Sequence, residues 1–373
     1  MRILWSSDQH TFHRRTPTHH VLNGLTKFLR VDHDLAKTDM IIFGGDFMED
    51  LVDMQNAQGK RVLNWGSEFL DACEEANDDM IVVWLAGTSS HDREQPAHFL
   101  SVAPKGLDVR YIDKLCIEVY PTKGNLSIMW VPDNMGKMTP DEIWELALTV
   151  LKENNMTQVD MVCAHFGFDF ELHAVARHHG HQLERWESIC KYIILAGHIH
   201  TPCEKGKLRR SGSFDRCGHG EEHPKGGYVV DLDLEKEKCV TSFYENKNAL
   251  PYLTMQVSPD AEPKALVAQV HDFIKKHKMP PFSQLKLRGG TSHVVNPVVD
   301  VISREYPMIG IETDNATNKD MLLDDEIVDY DEYEGKSLTK DNLADNLMPE
   351  IADQLAKLNL PQDEVLAVLR EFQ

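Results

Sequence analysis

The chain has 373 residues, 42% hydrophobic and 27% charged, as in an ordinary soluble globular protein with one large domain and a smaller one. No stretch approaches the roughly 18 to 20 apolar residues of a membrane span, and no basic segment followed by a longer apolar run suggests a secretory signal. Seven scattered cysteines without a C-x-x-C pair argue against a disulfide framework or a structural zinc site. We therefore expect a cytoplasmic protein with reduced thiols and no membrane partner.

The formal net charge of −21 argues at first against a nucleic-acid partner, because phosphate binding usually needs a basic surface. The charge is unevenly distributed, since residues 312–373 contain 17 acidic and 5 basic residues. Short basic clusters remain at Arg14 and Arg15, at Lys205, Lys207, Arg209 and Arg210, and at Lys286 and Arg288. Solvated surface is the simpler interpretation of each cluster, so net charge alone does not decide the partner.

Residues 1–250 alternate short apolar runs with amphipathic stretches, which predicts an α/β domain. The runs are typical of strands buried on both faces and lie at 1–5, 40–43, 80–85, 126–131, 161–164 and 192–195. Helical patterns lie at 21–33, 64–77 and 140–153. The last of these begins with Thr139 and Pro140, the order of an N-cap and a first-position proline.

The composition changes after Pro251, which predicts a small α+β unit at 251–311. Its expected strands lie at 252–257, 283–288 and 308–311, and its expected helices at 263–276 and 294–306. Residues 312–335 are acidic and poorly patterned, so we interpret them as a linker. Residues 336–373 carry apolar stripes on acidic helices. This helical tail is either a pair that packs on its own domain or a docking element for a partner.

Polar blocks follow the ends of five predicted strands and contain residue types that bind metal ions. They are Asp8-Gln9-His10, Gly44-Gly45-Asp46, Ser90-His91-Asp92, Ala164-His165 and Gly197-His198-Ile199-His200. Because the carboxyl ends of strands in α/β folds meet at one crevice, these side chains are expected to converge. The imidazole and carboxylate set suits manganese, iron or zinc, and an aspartate can bridge two ions about 3.5 to 4 Å apart, as two-metal hydrolysis requires.

The order D-x-H, G-D, H-D, H and G-H-x-H resembles the calcineurin-like metallophosphoesterases, and within them the Mre11/SbcD type of DNA-repair nuclease, in a phage or bacterial version. Residues 211–216 and 225–232 are similar to the segment that follows G-H-x-H in that subfamily, and we interpret them as a fold signature. The resemblance covers residues 1–245 clearly and reaches 252–311 only by position and length. It implies a central β-sandwich flanked by helices, with the small α+β unit as a DNA-contacting cap.

The resemblance also implies a role for each residue of the blocks. The expected ligands are Asp8, His10 and His200 for one ion, His165 and His198 for the other, and Asp46 as a bridge. His91 is expected beside the scissile phosphate as a catalytic residue, and Asp92 is expected to fix its orientation. Arg14 and Arg15 are candidate contacts with a nucleic-acid backbone. The implied cofactor is a pair of divalent ions, Mn²⁺ before Mg²⁺, Fe²⁺ or Zn²⁺.

One block departs from the family pattern. Where the family has G-N-H-D, with the asparagine a ligand of the second ion, this chain has Gly87-Thr88-Ser89-Ser90-His91-Asp92. Ser90 stands at the asparagine position, and a serine hydroxyl is a weaker ligand than an amide carbonyl. The departure leaves the affinity and the metal preference of the second ion open.

Three functions remain in competition. The first is a metal-dependent DNA nuclease, exonuclease or endonuclease, that uses a metal-activated water in DNA repair, recombination or processing, with a Rad50/SbcC-like coiled-coil ATPase bound by the C-terminal helices. The second is a stand-alone phosphodiesterase on a nucleotide or other small phosphoester. The third is a weakly catalytic DNA-binding scaffold. A homodimer through the helices at 21–33 and 64–77 is also left open.

Overall fold

The computed structural model describes residues 1–314 apart from residues 134, 136–137 and 173–175. Two six-stranded mixed sheets, each flanked by helices, and a separate three-stranded sheet form the framework. The chain is therefore a mixed α/β protein, as the alternation of apolar runs and amphipathic stretches predicts. Within the described part of the chain, no helix is long and apolar enough to cross a membrane.

The first large sheet has the order β12-β11-β1-β2-β3-β4. Its strands are β1 (Arg2–Ser6), β2 (Met40–Phe43), β3 (Ile81–Leu85), β4 (Asp108–Ile112), β11 (Gly226–Asp233) and β12 (Lys238–Glu245). Strands β1 to β4 are parallel to one another, and β11 is antiparallel to β1 and β12. Helix α1 (Thr18–Thr26), which continues as a π-helix (Lys27–Val31), and helix α2 (Ala57–Ala76) share an apolar cluster with this sheet.

The second large sheet has the order β5-β6-β7-β8-β10-β9. Its strands are β5 (Cys116–Tyr120), β6 (Leu126–Val131), β7 (Val159–His165), β8 (Cys190–Gly197), β9 (Cys203–Lys205) and β10 (Leu208–Arg210). The inner strands β6, β7, β8 and β10 are parallel, and both edge strands are antiparallel. Helices α3 (Pro140–Glu153) and α4 (Leu183–Ile189) pack against it.

The two large sheets face each other across one apolar cluster. Trp5 and Ile42 of the first sheet share it with Ile128 and Leu195 of the second, and all four are fully buried. Leu4, the neighbour of Trp5, belongs instead to the cluster under α1 and α2. Successive side chains of a strand point to opposite faces, so each inner strand is covered on both sides. This explains why these strands are continuous apolar runs.

The remaining described residues form a parallel sheet with the order β13-β14-β15. Its elements are β13 (Tyr252–Val257), α5 (Pro263–Lys276), β14 (Gln284–Gly289), α6 (Ser292–Glu305) and β15 (Gly310–Asp314), and they enclose their own apolar cluster. The described residues all fall in one unit that runs from Met1 to Ile327, so the division at residue 251 stays an interpretation.

Several predicted boundaries are corrected. Strand β15 extends to Asp314, three residues into the predicted linker, because Asp314 pairs with Arg288 of β14 at 3.3 Å. Helix α2 begins at Ala57 and not at residue 64, since the Asn56 side chain accepts hydrogen bonds from two amides of the first turn. The rest of the predicted linker and the helical tail at 336–373 lie outside the described residues.

Candidate metal centre

The six predicted metal ligands come together where β1, β2, β7 and β8 end. Their donor atoms lie within 4.8 Å of one another in overlapping groups: Asp8, His10 and Asp46; Asp46, His165 and His198; and His10, His200 and Cys217. Asp46 belongs to two of these groups and joins them. Cys217 adds a thiol to the imidazole and carboxylate set that the sequence predicts.

The loops that carry the ligands turn sharply after each strand. Asp8, His10, Asp46 and His198 all have φ between 48° and 80°, a left-handed conformation that costs a residue with a side chain about 1–2 kcal/mol. Hydrogen bonds between the loops hold this backbone in place. The amide of Asp8 donates to the Gly45 carbonyl at 2.9 Å, and the amide of His198 donates to the Asp8 carboxylate at 2.9 Å. The ligands therefore position one another before any ion binds.

Two glycines allow the close approach of these loops. Gly45 has φ +97°, and a Cβ there would lie 2.1 Å from His165 Nδ1. At Gly87 a Cβ would lie 2.2 Å from Asp46 Oδ1. At both positions the atoms that a side chain would strike belong to the candidate ligands.

We call Asp8, His10 and His200 the first cluster. In it, a carboxylate faces Nδ1 of each of the two histidines. His10 Nδ1 lies 2.5 Å from Glu49 Oε2, and His200 Nδ1 lies 3.0 Å from Glu221 Oε1. The two Nε2 atoms lie 3.0 Å apart. An imidazole that donates its Nδ1 proton to a carboxylate keeps its lone pair on Nε2. Two such lone pairs cannot hydrogen-bond each other, whereas a cation bound to both nitrogens satisfies them.

Charge in the first cluster follows from these contacts. Burial alone would lower the pKa of His10, but Glu49 and the two nearby aspartates outweigh it and raise that pKa. Burial alone would raise the pKa of Glu49, but its contact with His10 lowers it to about 2. The surroundings thus favour positive charge where the imidazoles meet.

A buried lysine braces the same cluster. Lys225 Nζ contacts Glu221 Oε2 at 2.5 Å, Ser213 Oγ at 2.8 Å and the His200 carbonyl at 3.0 Å. These residues lie in or between the stretches 211–216 and 225–232, which the sequence predicts to be a fold signature. The segment also holds His200 in place through Lys225 and Glu221.

Asp46, His165 and His198 form the second cluster. Here backbone atoms take the place of the supporting carboxylates. His165 is fully buried, and its Nδ1 lies 2.7 Å from the Gly44 carbonyl. Its Nε2 lies 3.0 Å from Asp46 Oδ2 but has no hydrogen-bond partner among the described residues. Ligand atoms of one ion sit about 3 Å apart when each is about 2.1 Å from the metal, so this spacing fits a shared ion. Burial opposes a charge on His165, but Asp46 outweighs it and raises the pKa to about 10.

Arg210 and Glu171 brace the second cluster from behind. Arg210 is fully buried, pairs with Glu171 at 2.8 Å and donates to the Phe166 carbonyl at 2.9 Å and to the Gly197 carbonyl. These carbonyls lie beside the ligands on β7 and β8. For Arg210, solvated surface is therefore the wrong interpretation. Its position two residues before Gly212 gave no signal of burial in the sequence.

Thr88 and Asp133 are site residues that the sequence analysis missed. Thr88 donates its amide to Asp46 Oδ1 at 2.6 Å, and its Oγ1 lies 3.2 Å from Asp46 Oδ2 and 3.1 Å from Asp133 Oδ2. Asp133 Oδ2 lies 3.9 Å from His198 Nδ1. Asp133 follows the apolar run 126–131 as the other polar blocks follow theirs, so the same rule could have found it.

His91 and Asp92 lie on the loop after β3, and both are buried. His91 Nδ1 lies 2.9 Å from the Glu49 carbonyl, and its ring centroid is 5.2 Å from that of His10. Asp92 accepts hydrogen bonds from the amides of Met48 and Gly87 at 3.0 and 3.1 Å. Asp92 thus ties together the loops after β2 and β3, and the Glu49 carbonyl holds the His91 ring; an orienting role of Asp92 stays a prediction.

The two arginines predicted to contact a nucleic acid have different surroundings. Arg15 lies 2.5 Å from Glu312 of β15, so its charge is compensated within the protein. Arg14 is exposed. In the histidine-rich segment at 171–182, His181 is buried and stacks on Phe166 with ring centroids 3.8 Å apart.

Comparison with known proteins adds no relative. The chain matches no protein-family model, and no curated protein matches its sequence significantly. The residues and their geometry therefore carry the functional argument alone.

Proposed function

We propose that the chain is a divalent-metal-dependent phosphodiesterase with the metallophosphoesterase fold, and that DNA is its substrate. The observation that carries this proposal is the pair of ligand groups that share Asp46. One group contains Asp8 and His10, and the other contains His165 and His198. A carboxylate shared by two ligand groups is the arrangement that a two-metal hydrolase needs.

The donor set fits divalent ions such as Mn²⁺, because it combines imidazole nitrogens with carboxylates. Asp8, His10 and His200 would hold one ion and His165 and His198 the other. Bound at this place, such ions lower the pKa of water and offset the charge of a phosphodiester. The protein supports this chemistry by holding His165 and His200 through Nδ1 and by placing the Glu49 carboxylate beside Nδ1 of His10.

His91 is the proposed catalytic residue. The Glu49 carbonyl holds its Nδ1 at 2.9 Å, which fixes the ring next to the first cluster. When His91 is protonated, its Nε2 can stabilise negative charge on a phosphate oxygen or give a proton to the leaving oxygen. Asp92 places the loop that carries His91.

The position of the small sheet supports a large substrate. Tyr252 Oη of β13 lies 3.0 Å from Thr16 Oγ1, and Glu312 of β15 contacts Arg15. The sheet therefore lies against the loop that follows His10. A module at this place can hold a polymer beside the ligand groups, which is the role proposed for residues 251–311.

A stand-alone phosphodiesterase on a small ester is the second candidate. The net charge of −21 and the compensation of Arg15 by Glu312 both favour a substrate that carries less charge than DNA. The two candidates share the metal chemistry and differ in the substrate, so one experiment separates them.

The test uses the full chain with Mn²⁺ and three substrates: linear duplex DNA, circular single-stranded DNA and a chromogenic phosphodiester. We expect hydrolysis of DNA that EDTA abolishes. Hydrolysis of the chromogenic ester with intact DNA, also in the presence of a partner ATPase, would contradict the nuclease and support the second candidate. No hydrolysis of any substrate would contradict both.

His91→Ala tests the catalytic assignment. It should lower the rate about 10²- to 10⁴-fold and leave Mn²⁺ binding intact. His98→Ala is the matched control, because His98 is exposed in the 3₁₀-helix that follows the same loop. Equal rates for His91→Ala and the control would contradict the role of His91.

We further propose that the tail at 336–373 binds a coiled-coil ATPase. The sequence supports this idea, because it predicts apolar stripes on acidic helices there. Truncation after Glu334 should abolish co-purification of such a partner and leave hydrolysis of the chromogenic ester unchanged. Retained binding of the partner would contradict a docking tail.

A further inference from the structure

The second cluster lacks the amide ligand that the resemblance leads us to expect, since Ser90 stands in its place. Ser90 Oγ is buried and has no hydrogen-bond partner among the described residues. A short neutral hydroxyl is a weak substitute for an amide oxygen. Another side chain near Asp46 must supply a donor atom if the second ion is to be held as firmly as the first.

Asp133 lies where such a donor is needed. It follows β6, which pairs with β7, the strand that ends at His165. Its Oδ2 lies 3.1 Å from Thr88 Oγ1, which in turn lies 3.2 Å from Asp46 Oδ2. The same Oδ2 lies 3.9 Å from His198 Nδ1. Asp133 is thus linked to Asp46 through the Thr88 hydroxyl and lies close to His198.

We propose that Asp133 is a ligand of the second divalent ion and replaces the missing amide at this position. The inference rests on the proposed function, because it assigns a further ligand to the same pair of ions. It changes the character of the second position from one with a neutral ligand to one with an additional negative charge.

The electrostatics of the cluster support this assignment. Two carboxylates, Asp46 and Asp133, converge on one hydroxyl of Thr88, and a hydroxyl has only one proton to share between them. Like charges in a partly buried crevice repel unless a cation lies between them. An independent observation points to the same place, because the fully buried His165 Nε2 faces Asp46 without a hydrogen bond.

A carboxylate in place of an amide has a chemical consequence. Hard divalent ions such as Mn²⁺ and Mg²⁺ prefer charged oxygen ligands. The substitution should therefore tighten binding of the second ion and shift the preference of this position toward Mn²⁺. This would answer the question that Ser90 opens in the sequence.

The test is an equilibrium Mn²⁺ titration followed by electron paramagnetic resonance, which counts free Mn²⁺ and detects a spin-coupled pair. The wild-type chain should bind two ions and show the coupled signal. Asp133→Asn keeps the shape of the side chain and removes its charge. It should weaken the second ion about 10- to 100-fold and leave an uncoupled six-line spectrum at low Mn²⁺.

Two further variants keep the proposal falsifiable. Asp113→Asn is the matched control, because Asp113 directly follows β4 and is half-buried. It should bind two ions as the wild type does. Thr88→Val removes the hydroxyl that links the two carboxylates and should weaken the second ion less than Asp133→Asn. An equal or larger loss in Thr88→Val would mean that Asp133 only positions Thr88, which would overturn the assignment.

The outcomes separate the two proposals. If the wild type binds two ions and Asp133→Asn binds them with the same affinity, this inference fails and the proposed function stands. If the wild type binds fewer than two ions, both fail. Thermal unfolding in EDTA checks the fold of Asp133→Asn, which should unfold no earlier than the wild type because a repulsion with Asp46 has been removed.

Discussion

The two ligand clusters contain similar donors and support them in different ways. In the first cluster, side-chain carboxylates of Glu49 and Glu221 hold the histidines. In the second cluster, the backbone carbonyl of Gly44 holds His165, and the braces of Arg210 end on carbonyl groups. The positions of the histidines therefore depend on charged side chains near the rings in the first cluster. In the second cluster they depend on the position of the backbone.

This difference predicts two kinds of sensitivity. Substitutions that alter a supporting charge should change metal affinity in the first cluster with little effect on folding. Substitutions that move the backbone should disturb both the second ion and the fold. Three substitutions and one pH dependence test this division.

Glu171→Gln should have the largest effect on stability. It leaves the fully buried Arg210 without its charge partner, and breaking a buried pair costs about 3–5 kcal/mol. Urea denaturation in EDTA measures the loss. Asp141→Asn is the control, because it breaks the exposed pair with Arg185, which contributes about 0–1 kcal/mol. A loss in Glu171→Gln no larger than in the control would contradict the brace.

Gly45→Ala should come next, with a cost of roughly 2–4 kcal/mol and a weakened second ion. The added Cβ would lie 2.1 Å from His165 Nδ1 at a φ of +97°. Gly124→Ala isolates the backbone cost, since its φ is +72° but the new Cβ meets only Leu234 at 3.5 Å. Denaturation and Mn²⁺ titration of both variants would show equal effects if the contact with His165 were unimportant.

Glu49→Gln should weaken the first ion about 10- to 100-fold while the stability of the metal-free protein changes little. The reason is that an amide holds the His10 ring but no longer raises its basicity. Asp50→Asn is the neighbouring control on an exposed carboxylate. Unchanged Mn²⁺ affinity in Glu49→Gln would show that the first cluster does not depend on supporting charge.

The buried His181, which packs beside the second cluster, should make the stability of the fold sensitive to acid. Burial is the main cause that lowers its pKa to about 3, with His198 and Arg185 adding to the effect and Asp141 opposing it. Below about pH 6.5 this histidine takes up a proton in the unfolded chain but not in the folded chain. The free energy of unfolding is therefore about 2 kcal/mol lower near pH 5 than above pH 6.5. His181→Phe should remove this part of the loss in EDTA, and an unchanged pH dependence would argue against it.

Much of the fold was predictable, because the inner strands are covered on both faces and therefore read as apolar runs. Strands β2, β6 and β13 and helices α3 and α5 have the predicted bounds. The missed strands β4, β5 and β12 are partly exposed and contain polar or charged residues, so their pattern was weak. The stacking of one sheet on another leaves no local signal in the sequence, so only the resemblance predicted it.

The convergence of the candidate ligands was also predictable, since all follow strand ends. The residues that hold these ligands in place were not predictable. Glu221 and Lys225 are far from His200 in the pattern of blocks, and nothing in the sequence shows that a surface-like lysine is buried. Asp133 could have been found by the rule that found the others. The ion pair of Arg15 was not predictable either, because its partner Glu312 is nearly 300 residues away in the chain.

The most direct test is anomalous X-ray diffraction from crystals grown with Mn²⁺. We expect two manganese peaks about 3.5–4 Å apart, with Asp46 between them, one peak beside His10 and His200 and the other beside His165, His198 and Asp133. A single peak, or peaks away from these residues, would contradict it.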